Sequence, residues 1–312
     1  MIKESLFYGK ILLFGEYGII HDSMGLSIPY TNYNGKFTFG NESTDFSKES
    51  NEELKKYYLH LKELQKSKQI DATFDLKKFE ADINAGMSFD SSIPQGFGVG
   101  SSGALVAAIY AKYGKNIIKS EENISGEKIK QLKAIFGQME SYFHGKSSGL
   151  DPLICYLNLP VVIKSKEEMN TVGLPSQGDG KGAIFLLNTG TPGKTQPLVS
   201  YFLDKCKEDG FRNMLKSEFK KYNDACIEAF LNKDVKPLLS NVKKLSKVLL
   251  EHFSPMIPSD FQQMWQEGID SNAYYLKLCG SGGGGFILGF TKDLDKAKQK
   301  LNGYELAVVH QF

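Results

Sequence analysis

The stretch IPQGFGVGSSGALVAAI, residues 93–109, constrains this chain more than any other. From Gly96 to Gly103 it packs four glycines and two serines into eight residues, then turns apolar and small-sided. Successive glycines let backbone N–H groups turn inward with no Cβ in the way. The first turn of a following helix adds unpaired N–H groups and the positive end of its dipole. Such a loop is a cradle for an anion, most often a phosphate chain. Ser101 and Ser102 would add hydroxyls to the phosphate or to a magnesium ion bridging it. The plain alternative is a tight turn that lets a helix pack close to a sheet.

At 312 residues the chain is long for one core, which predicts two lobes. A formal net charge of only +2 argues against a dedicated polyanion binder, so nucleic acid is not an expected partner. No apolar run approaches the ~20 residues that span a bilayer, and MIKESLFYGK lacks the apolar centre of a secretory signal. The expectation is a cytoplasmic protein with no membrane partner. Cys155, Cys206, Cys226 and Cys279 are scattered, with no CxxC pair, and read as free, mostly buried thiols.

Along the chain, KILLFGEYGIIHDSMGLSIPY and GKFTFG read as short antiparallel strands joined by hairpins. Residues 47–68 place Leu54, Tyr58, Leu61 and Leu64 at helical spacing on a lysine-rich, solvent-facing helix. FEADINAGMSF reads as strand-like, and residues 104–113 as a helix buried against the sheet. Residues 127–143 put Ile129, Leu132, Phe136, Met139 and Phe143 on one stripe. HGKSSGLDP, with Pro152 and Pro160 beyond, reads as a loop leading to a strand, PVVIK. The polar, glycine-rich residues 166–181 are the expected approach to a second lobe. After them come a strand (AIFLLN), two or three helices between Val199 and Gly268, a strand (YYLKLCG), four glycines at 282–285, and a final strand, helix and strand.

Taken singly, the polar residues are unassertive. Lys10 has the look of a surface lysine whose stem lies along apolar neighbours. Glu140 sits on the border of the buried stripe, and Asp151 in a turn where aspartates mostly satisfy local N–H groups. CGSGGGGF is more unusual, because a strand dissolving into glycines allows close approach of backbone or ligand. ESYFHGKS and NTGTPGKT imitate a P-loop, but Glu140 and Asn188 stand where its first glycine belongs.

In order, GKILLFGEYGII, PQGFGVGSSGAL and KLCGSGGGGF resemble the three motifs of the GHMP kinases. Within that superfamily HGKSSGLD and GKILLFGEY are most similar to the mevalonate kinases. The resemblance implies an α+β, two-lobed fold. An N-terminal ribosomal protein S5 domain 2-like lobe would occupy residues 1–170 and a C-terminal ferredoxin-like lobe residues 171–312, with the active site in the cleft between them. It implies ATP and Mg2+ as cofactors, mevalonate as small-molecule substrate, and a monomer or homodimer. Gly96, Gly98, Val99, Gly100, Ser101, Ser102 and Gly103 would wrap the triphosphate. Ser102 and Glu140 would hold the metal, Asp151 would be the base, and Lys10 would orient the hydroxyl. Glu16, Tyr17, Thr195 and Gly282 would lie toward the substrate.

Three residues depart from the family pattern. Tyr17 replaces the usual histidine, Ser147 the usual proline, and Gly103 the usual alanine. Alternatives left open are another GHMP kinase, such as phosphomevalonate kinase or galactokinase, and a non-catalytic nucleotide-binding regulator with the same fold.

Overall fold

The computed structural model describes residues 5–40, 44–121, 123–165 and 168–312. Residues 166 and 167, at the start of the expected approach to a second lobe, lie outside the described residues. The chain forms two compact units. The first gathers the chain up to Lys10, Ile28–Gln95 and Gly100–Leu159; the second gathers Ile11–Ser27, Gly96–Val99 and Pro160–Phe312.

In the first unit the far half of the strand Gly25–Phe39 pairs antiparallel with Met87–Ser91, Gly35 opposite Ser91 and Phe39 opposite Met87. The helix Asp45–Lys66, capped by Thr44 accepting from the Ser47 N–H, buries Leu54, Tyr57, Tyr58, Leu61 and Leu64. Its charged residues face outward, as an amphipathic helix requires. FEADINAGMSF is not one strand. Phe79 and Ile83, one helical turn apart, face the core from the helix Leu76–Asn84, which Asp75 caps, and only Met87–Ser91 is extended.

The glycine loop leads into the helix Ser101–Tyr113, buried nearly all round, against which Gly126–His144 and Leu150–Leu157 pack. Leu150–Leu157 is a helix where the sequence pattern predicts a loop. Pro152 is compatible with a helix because it falls in the first turn, where an N–H has no intrahelical partner. Aromatic contacts run through the core: Tyr113 stacks on Phe79 at 4.4 Å, and the Tyr57 hydroxyl donates to the Met139 carbonyl at 3.0 Å.

In the second unit residues 25–27 pair with Val161–Ile163, which pairs with Met169–Thr171. A separate antiparallel sheet has the order Leu306–Gln311, Ala183–Asn188, Phe286–Thr291, Tyr275–Leu278. Numbered along the chain that order is fourth, first, third, second, with helices after the first and third strands, the ferredoxin-like arrangement expected of this lobe. The region between the first two strands is more helical than expected. Thr195–Lys205, Asp209–Met214, Lys220–Leu231, Val235–His252 and Ser259–Ser271 all lie there, with a π turn at Leu215–Phe219. Trp265, fully buried, donates its indole N–H to the Ser246 carbonyl at 3.0 Å. Among the described residues no helix is long and apolar enough to cross a membrane.

Candidate functional site

The first unit holds seven of the expected residues: Lys10, Gly100, Ser101, Ser102, Gly103, Glu140 and Asp151. Lys10, on the strand Phe7–Phe14, is only 2% exposed, and its Nζ lies 2.8 Å from Asp151 Oδ1. It is therefore not the surface lysine its local sequence suggested. The glycine loop explains its course, since Gly100 adopts φ 84° and a Cβ there would come within 2.9 Å of the Lys10 stem. Asp151 sits in the first turn of Leu150–Leu157, where the helix dipole favours negative charge.

Gly103 fixes how closely the two helices approach. A Cβ on it would meet the Asp151 carbonyl carbon and the Pro152 nitrogen, each at 2.9 Å. Gly103, where the family pattern has alanine, thus sets the seat of Asp151.

Glu140 is likewise more deeply set than the stripe border implied, at 3% exposed. Ser102 Oγ donates to its Oε1 at 3.2 Å, and Ser147 Oγ donates to its Oε2. Ser147, the replacement for proline, is therefore a ligand of this carboxylate. Burial, followed by the charge of Asp151, pushes the Glu140 pKa up to about 7; the two serine hydroxyls and Lys10 act in the opposite direction. His144 Nε2 lies 3.3 Å from Ser102 Oγ, a contact the sequence reading did not anticipate although His144 opens the HGKSSGLD string. Gly149, at φ 70°, abuts the Gly137 backbone and so brings that string against the Glu140 helix.

The helix Ser101–Tyr113 begins after Gly100 with no side-chain cap, leaving its first N–H groups to an outside acceptor. Ser101 and Ser102 are half-buried at this end.

The second unit holds the other expected residues. Gly96 and Gly98 are at φ 78° and 79°, and Cβ atoms there would meet Pro192 Cβ at 2.8 Å and the Cys279 carbonyl at 2.7 Å. Val99 is fully buried. Three glycine-rich segments, 96–98, 190–193 and 280–285, are laced together by main-chain bonds. Gly193 N–H donates to the Gly96 carbonyl at 2.8 Å, and Gly285 N–H to the Thr191 carbonyl at 2.6 Å. Gly282, at φ 78°, abuts the Met256 carbonyl.

Glu16 Oε1 is 2.6 Å from Lys277 Nζ in a pair whose side chains are 5% and 2% exposed. Lys277 also donates to the Leu278 carbonyl at 2.9 Å. The sequence reading missed Lys277 because a lysine between two leucines on a strand points, by alternation, to the solvent face. Tyr17 packs its ring at a tilt 4.6 Å from Phe202 and donates its hydroxyl to the Ser281 carbonyl at 2.7 Å. Burial, with the Glu16 charge, raises its pKa far above the usual phenol value. Thr195 opens the helix Thr195–Lys205; its side chain lies outside the described residues. All four cysteines are free.

Comparison with known proteins gives the family. Residues 59–158 match the model of the GHMP kinases N terminal domain, and residues 226–306 that of the GHMP kinases C terminal domain. None of the curated proteins matches the sequence significantly. Among solved structures, L. major mevalonate kinase in complex with R-mevalonate is 15% identical, covering 100% of this chain and 97% of its own, at a TM-score of 0.59. Streptococcus pneumoniae phosphomevalonate kinase is 14% identical, covering 98% of each chain, at 0.61. Lactococcus lactis galactokinase complexed with galactose is 11% identical, covering 99% of this chain and 94% of its own, at 0.65. Those likenesses concern the fold. The two domain models together take in more than half of the sequence, in the order the three motifs anticipate, and the chain belongs to the GHMP kinases, a family of phosphotransferases.

Proposed function

We propose that this protein phosphorylates a primary alcohol, the 5-hydroxyl of mevalonate, using ATP and magnesium. The observation that supports the reading most directly is the buried Lys10 ammonium 2.8 Å from Asp151, with Glu140 and Ser102 alongside. Phosphoryl transfer is chiefly positioning and neutralisation of charge, and these are the groups it needs. Asp151 accepts the proton of the attacking hydroxyl late in the transfer, when that oxygen has become acidic. Lys10 pairs with Asp151 and offsets charge on the oxygen. The uncapped N-terminus at Ser101 and the glycines before it donate N–H groups to the phosphates.

Glu140 and Ser102 would hold the magnesium ion. Their hard oxygen donors suit it, and magnesium takes few protein ligands beside phosphate and water. Consistent with that economy, no group of three or more His, Cys, Asp or Glu is placed to hold a metal among the described residues. When bound, the ion neutralises charge on the transferring phosphoryl group. Mevalonate as the substrate is favoured by the HGKSSGLD and GKILLFGEY strings, and the solved relative in complex with R-mevalonate accords with it.

The test is ADP release with ATP and magnesium against mevalonate, phosphomevalonate, galactose and homoserine, with Asp151→Asn as control. Turnover of mevalonate alone, reduced about 10²- to 10⁴-fold in the control, is the expected result. Turnover of a different alcohol overturns the substrate, and nucleotide binding without any turnover overturns the activity.

A further inference from the structure

In the second unit a cavity of about 110 Å³ lies between the last strand and the helices Lys220–Leu231 and Val235–His252. Its walls are apolar, chiefly Pro175, Phe230, Leu238 and Phe312. One polar side chain lines it from within. His310 is 4% exposed, packs edge-on against Phe230 at 5.2 Å and lies 6.0 Å from Phe312. Its ring makes no hydrogen bond to any described residue.

Its nitrogens are not among the sealed, partnerless polar atoms of the described residues, so they stay open to the cavity, where a bound group can reach them. The strand Leu306–Gln311 changes register between Val308 and His310, the kind of irregularity that re-aims a side chain. Burial pushes the imidazole pKa below its usual value, so the ring is neutral, with one donor and one acceptor nitrogen.

The rim decides the charge of what fits. Lys233 and Asp234, both exposed, stand side by side with opposite charges, and Ser176 is uncharged. No net field draws in an ion. The size suits a single ring, since an apolar cavity of about 150 Å³ takes benzene and this one opens to solvent at its rim. Phe230 and Phe312 offer that ring aromatic partners.

We propose that this cavity binds an uncharged one-ring molecule carrying a hydroxyl, of the phenol class, with His310 as its hydrogen-bond partner. The site is independent of the kinase reading and is tested without turnover. Calorimetric titration of the whole chain with phenol, toluene and benzoate is expected to give saturable phenol binding. Toluene should bind about 2- to 12-fold more weakly, the worth of one net hydrogen bond. His310→Phe should erase the difference. Ser176→Trp, at the exposed rim, should block both ligands while leaving the melting temperature unchanged. Absence of saturable binding, equal affinity for phenol and toluene, tighter binding of benzoate, or indifference to Ser176→Trp would each overturn the proposal.

Discussion

Tyr17 donates its hydroxyl hydrogen to the carbonyl of Ser281 from a backbone held at φ 61°, a conformation that costs a bulky residue about 1–3 kcal/mol. The bond ties the residue that replaces the family histidine to the glycine run. Tyr17→Phe should therefore lower stability by about 0.5–1.5 kcal/mol in denaturant unfolding. A variant of unchanged stability but raised KM would instead make the hydroxyl a substrate contact.

The Glu16–Lys277 pair is buried on both sides, so removing one member strands a charge. Lys277→Met should cost about 3–5 kcal/mol, and the double replacement Glu16→Met with Lys277→Met should recover much of it. Urea unfolding of the two variants checks the prediction. Equal losses in single and double variants would contradict it.

Gly103→Ala restores the residue usual in the family, and on helix propensity alone it should help. Here the added Cβ meets the Asp151 backbone at 2.9 Å, in a contact between two helices. The expected net result is destabilisation of about 1–3 kcal/mol, with turnover falling as Asp151 shifts. Thermal melting and steady-state kinetics on the same preparation would reveal both effects.

Glu140 gives a pH dependence of definite sign. Its folded pKa, about 7, lies above that of an exposed glutamate, so the folded state binds more protons than the unfolded state across the interval between them. Stability contributed by this group is full below about pH 4.3 and is lost as pH rises toward 7, amounting to about 3 kcal/mol for the metal-free protein. Glu140→Gln should flatten that slope. The same variant should raise the magnesium concentration needed for half-maximal turnover; an unchanged requirement would remove Glu140 from the metal site.

Much of the architecture was legible because its signals are local. The stripe Ile129, Leu132, Phe136 and Met139 and the glycine loop with its small-residue helix declare themselves within a few turns. Leu150–Leu157 did not, because a proline hides a helix from pattern reading even where it sits harmlessly in the first turn. The site divides in the same way. Asp151, Lys10, Glu140 and Ser102 were singled out through motif resemblance, although the burial of Lys10 and Glu140 was not legible. Lys277 escaped, since a buried lysine takes its meaning from a partner 261 residues away, whereas Ser147 was noticed only as a replacement and its bond to Glu140, seven residues back, shows only once the turn after that helix is folded.

The laced glycine segments of the second unit carry one more consequence. Cβ atoms at Gly98, Gly193, Gly282, Gly284 and Gly285 would each fall 2.5–2.7 Å from main-chain atoms of another segment. This patch is built of peptide groups, and a side chain at any of these glycines would force the segments apart, so its contour is set by the main chain itself. Change of shape here has to come from neighbouring side chains, such as the packed pair Tyr17 and Phe202.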